Sequence, residues 1–140
     1  DQLAEYLLLC KKQVVDDFKA NHNADKIIEE LSEEYFRKEL DKGNIELVAI
    51  KLCVRLEAVL KSKYHYEGDF SEVLEKYCSQ YGVYEEDDGW GYIETRTHEF
   101  VTYLQKLRKY RNSIVHSEKK VDGMTKEELD FCITYICEMK

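Results

Sequence analysis

The residues best placed by type to do chemistry are Arg111-Asn112-Ser113-Ile114-Val115-His116. Together they suit cleavage of RNA without a metal. The 2′-hydroxyl of RNA attacks the adjacent phosphate once a base takes its proton, and histidine is the natural proton carrier near neutrality. Charge that develops on the phosphorane oxygens needs a fixed cation, and the planar fork of an arginine offers two donors. Asn112 can hold the imidazole or donate to a phosphate oxygen. DNA lacks the 2′-hydroxyl and would be spared. The scheme calls for no metal and no cofactor, and His22, His65 and His98 have no partners at metal-ligand spacing.

Helix geometry complicates the pairing. Asn112 and His116 are four residues apart and share a face, whereas Arg111 and His116 are five apart, about 140° around an ideal helix. Two arrangements would join them: an arginine that curls around a loosened helix end, or an arginine of one subunit meeting the histidine of another. The chain has five Arg, four Asn and four His. Arg-Asn-x-x-x-His is then expected by chance roughly 0.004 times, against roughly 0.4 times for an Arg followed by a His after four to six residues. The competing reading is a histidine stabilised by a helix C-terminus, with Arg111 in a surface ion pair.

The elements that must position these residues read as helices. Leu3, Tyr6, Leu7, Cys10, Val14 and Phe18 recur at three and four residues, a first amphipathic helix. After Asn21-His22-Asn23, one helix is expected over 24–40, with Ile27, Ile28, Leu31, Tyr35 and Leu40 on one side. Gly43-Asn44 ends it. Ile45 to Tyr64 is apolar over much of its circumference and should be central. Asp69 can cap a short helix through Tyr81, with Phe70, Val73, Leu74 and Tyr77 inward. Gly82 to Gly91 reads as the one irregular stretch, a solvated acidic loop at Glu85-Glu86-Asp87-Asp88 with Trp90 anchoring it to the core. A long helix is expected from about Thr95, with Phe100, Tyr103, Leu104, Leu107, Ile114 and Val115 inward. Thr125-Lys126-Glu127-Glu128 is a capping box that opens a final helix. The fold class expected is all-α, an antiparallel bundle of five or six helices in a single domain over 1–140.

Arg-Asn-x-x-x-His near the end of a late helix, in a small all-α domain, resembles the HEPN superfamily (higher eukaryote and prokaryote nucleotide-binding domain). Leu52 to Leu60, with Arg55 and Glu57, is similar to the central helix of several HEPN groups. The resemblance implies a helical bundle that dimerises, often with the two motifs facing a shared cleft. It also implies metal-independent endoribonuclease activity, commonly in toxins and phage-defence proteins. Arg111 and His116 would be the catalytic pair, with Asn112 the polar residue beside the arginine. An antitoxin or a fused defence domain would be an expected partner. Other members have lost activity and serve as interaction or nucleotide-binding modules, which keeps a non-catalytic reading open.

Charge and composition bound the rest. Hydrophobic residues make up 44% and charged residues 36%, with no proline, a balance suited to a helical globule. The net charge of −8 disfavours indiscriminate nucleic-acid binding. Between Gln105 and Lys120, however, Lys106, Arg108, Lys109, Arg111, Lys119 and Lys120 oppose only Glu118. That strip could engage an RNA backbone, the alternative being a solvated helix face. Five cysteines without a CxxC pair, three of them in apolar stretches, point to a reducing, cytoplasmic compartment. The apolar runs are too short for a signal peptide or a membrane span, so no membrane partner is expected. A start at Asp1 rather than Met reads as a domain cut from something longer.

Overall fold

The computed structural model describes residues 23–116 and 123–139. The expected first helix, with Cys10, and Lys119 and Lys120 of the basic strip lie outside the described residues. Those described form six helices and one hairpin: α1 (Ala24–Glu30), α2 (Glu33–Asp41), α3 (Ile45–Ser62), α4 (Phe70–Tyr81), β1 (Val83–Asp87), β2 (Ile93–Thr97), α5 (Glu99–Val115) and α6 (Lys126–Glu138). The fold is mostly helical, with one small antiparallel sheet.

α3 is the centre. Eleven of its residues are buried, Val48 to Ile50, Leu52 to Leu56 and Ala58 to Leu60, and it packs against all five other helices. Its one buried charge, Arg55, explains a departure from the sequence reading. The helix expected over 24–40 breaks at Leu31, which leaves helical geometry at φ −90°, ψ 60°, and Ser32 restarts it by accepting from Tyr35 N. The end of α1 leaves carbonyls without helical partners. Arg55 Nη1 donates to two of them, Ile28 O at 2.6 Å and Leu31 O at 2.7 Å, while Nη2 reaches Cys137 O in α6 at 3.4 Å. A buried guanidinium therefore completes the break and ties three helices together.

The other helix ends follow local chemistry. Gly43, at φ +83°, turns the chain after α2 as only glycine does readily. Asp69 caps α4 by accepting from Glu72 N at 2.9 Å. Thr125 and Glu128 exchange two bonds, of 2.9 and 3.1 Å, in the capping box of α6.

The stretch read as irregular is ordered. β1 and β2 pair from Val83 opposite Thr97 to Asp87 opposite Ile93, so strand continues to Thr97 and α5 begins only at Glu99. All ten strand residues are exposed. With neither face buried there is no apolar alternation to read, although Val83, Tyr84, Ile93, Thr95 and Thr97 all favour extended backbone. Trp90 does not anchor this segment to the core. It stands 91% exposed at the turn. Among the described residues, no helix is long and apolar enough to cross a membrane.

Candidate functional site

Ile114 and Val115 are buried and pin the last turn of α5 against the core. The helix stops there. His116 is its C-cap, at φ −107°, ψ 8°, still donating its backbone N–H to Asn112 O at 3.0 Å. Leaving the helix swings the imidazole out of the position an ideal helix would give it. The two residues expected to project apart therefore meet within one chain, with Arg111 Nη1 3.3 Å from His116 Nε2.

Arg111 is held from three sides. The same Nη1 donates to Asn112 Oδ1 at 2.8 Å, and the guanidinium lies 5.5 Å from the centre of the Phe70 ring. Arginine only donates, so Asn112 must present its oxygen and His116 Nε2 must be the acceptor, with the ring proton on Nδ1. Asn112 is itself buried at 8% exposure, and its Nδ2 makes no hydrogen bond to the described residues. That amide keeps two donors for a ligand.

These groups form one wall of a cleft of about 390 Å³. Glu57 of α3, and Asp69, Phe70 and Ser71 at the start of α4, complete it. Both carboxylates have partners: Glu57 faces Lys61 at 3.2 Å, and Asp69 caps its helix. Among these lining residues Arg111 carries the fixed positive charge that draws an anion. Phe70 and Asp69 figured in the sequence only as a core residue and a cap, and Ser71 not at all. Nothing in a sequence links them to a motif forty positions later.

The basic strip is divided by the fold. Lys106 pairs with Glu128 across to α6, and Arg108 Nε donates to Gln105 Oε1 at 3.0 Å. Lys109 is exposed. Arg108 stands one helical turn before Arg111 and Asn112, which puts it on the side of α5 that faces the cleft. His98 stands at the N-cap position of α5 without a side-chain cap bond, its ring near Tyr84 and Phe100, and His65 takes φ +59° after α3.

The arrangement can hold a phosphate oxygen on a guanidinium and a proton on an adjacent imidazole. Set against protein-family models, curated proteins and solved structures, the chain matches none of them.

Proposed function

We propose that this chain is a metal-independent endoribonuclease of the HEPN type. The observation that carries the reading is the meeting of Arg111 and His116 at 3.3 Å on the wall of a cleft, within the Arg-Asn-x-x-x-His motif that resembles that superfamily. The RNA 2′ oxygen attacks the neighbouring phosphorus, and His116 takes the hydroxyl proton on Nε2, freed as Arg111 turns its N–H to the phosphate. The bond to the 5′ oxygen breaks, giving a 2′,3′-cyclic phosphate and a free 5′-hydroxyl, with the proton for the leaving oxygen coming from water or from a second copy. Arg111 and the Asn112 amide stabilise the charged non-bridging oxygens. The family resemblance supports a homodimer as the working unit, in a toxin or phage-defence system with an antitoxin or a fused defence domain as partner.

The test is cleavage of single-stranded and transfer RNA in EDTA by wild type, Arg111→Ala and His116→Ala. Cleavage by wild type alone, with cyclic phosphate ends, is the expected result. Cleavage that survives both substitutions would overturn the mechanism. No cleavage by any of the three folded proteins would favour a binding module on the same scaffold.

A further inference from the structure

Every large hydrophobic side chain that stands exposed among the described residues lies in one stretch: Tyr81, Val83, Tyr84, Trp90, Tyr92 and Ile93. Single apolar residues scattered over a surface need no explanation, but a set gathered in one hairpin does, with Trp90, Tyr92 and Ile93 together at its tip and Val83 and Tyr84 on opposite faces at its root. This set occupies the β1–β2 hairpin and its root, away from the cleft.

The hairpin is a built structure. At its root His98 N donates to Gly82 O at 2.7 Å, and the Tyr84 and His98 rings lie 4.5 Å apart. Along the shaft Arg96 bridges Glu86 and Glu94, at 3.2 and 2.6 Å. At the tip Asp87 Oδ1 accepts from Gly89 N, and Asp88 Oδ1 accepts from both Trp90 N and Tyr92 N. Asp88 N closes the turn on Tyr92 O at 3.1 Å. Gly89 and Gly91 supply the positive φ that the turn requires. All of this local structure holds the only tryptophan of the chain outward.

We propose that the hairpin is a docking arm for a second protein, one that presents a basic peptide segment carrying apolar side chains. Charge selects this occupant. Residues 83–97 carry Glu85, Glu86, Asp87, Asp88 and Glu94 against Arg96, a net charge of −4. Two arms repel each other, so the open strand edges are poorly suited to pairing between copies. A phosphate backbone and an anionic membrane are repelled in the same way. A cationic segment is attracted, can add main-chain hydrogen bonds along an open edge, and can receive Trp90, Tyr92 and Ile93 in an apolar pocket. A turn already hydrogen-bonded before contact has less freedom to lose on binding.

Trp90 is its own reporter, because no other tryptophan contributes to the emission. The experiment pans a displayed library of short random peptides on the full chain, with counter-selection on Trp90→Ser. Enrichment of Lys and Arg interleaved with aliphatic or aromatic residues is expected. A synthesised winner should shift Trp90 emission to the blue and weaken as salt rises. By anisotropy of the labelled peptide it should bind Trp90→Ser, and Glu85→Lys combined with Glu94→Lys, at least about tenfold more weakly. Unchanged helical circular dichroism would establish that these variants fold. Enrichment of acidic peptides, or of none that depends on Trp90, would overturn the proposal. So would a blue shift on concentrating the chain alone, which assigns the arm to a second copy. Saturable quenching by single-stranded RNA would assign it to base stacking and overturn the proposal too. None of these outcomes depends on RNA cleavage.

Discussion

Arg111 Nη1 alone contacts both Asn112 Oδ1 and His116 Nε2. A lysine offers a point charge on a flexible stem in place of that planar fork. Arg111→Lys should therefore lower cleavage by about a hundredfold or more while the helical signal stays unchanged. The cysteines make a second prediction at this scale. Burial pushes the Cys78 thiol up to about 11 and the Cys132 thiol up to about 12. Both stay protonated at pH 8, and the thiolate is the reactive form. Iodoacetamide should leave them unmodified in the folded protein and label them after denaturation, as read by peptide mass spectrometry.

At the scale of elements, Arg55 carries the most consequence. Arg55→Leu would strand the buried carbonyl of Leu31 and the part-buried one of Ile28, and should cost about 1–3 kcal/mol for the buried acceptor left unmet, measured by urea unfolding. The α5–α6 contact has a pH signature. The hydrogen bond from Lys106, followed by the Thr125 backbone, holds the Glu128 carboxyl below its ordinary range. A lowered carboxylate contributes stability above its unfolded value of about 4.3, lost as pH falls through the folded one. Lys106→Met should therefore be less stable than wild type at pH 7, with the gap closing as pH falls below the ordinary carboxylate range in the same assay.

Which elements were legible in the sequence follows from burial. α3, α4 and α6 each combine a buried face with local end signals, and Asp69 and Thr125 cap where their types suggest. The α1–α2 break was hidden because Ile27, Ile28, Leu31 and Tyr35 keep helical spacing across it, and its stabiliser is twenty-four residues further on. The hairpin was hidden because neither face is buried. Of the site, the motif itself was readable, but its closure was not. An ideal helix separates Arg111 from His116, and only the position of the helix end brings them together.

For the molecule as a whole, charge decides how RNA would approach. The acidic surface limits nonspecific contact, while Arg108, Lys109 and Arg111 lie along one helix that leads to the cleft. If Lys109 meets a phosphate, Lys109→Ala should raise KM for RNA and reduce the slope of log KM against log salt by about one. The rate at saturating RNA should hold.

The three carbonyls that Arg55 engages belong to residues 28, 31 and 137. During synthesis the third is made more than a hundred residues after the first two, and 82 residues after Arg55 itself. Until then the central helix carries a guanidinium whose surroundings are unfinished, beside an apolar face that α6 has yet to cover. The native packing of the central helix is thus incomplete until α6 has been made, and the apolar face left open in that interval is of the kind that drives aggregation.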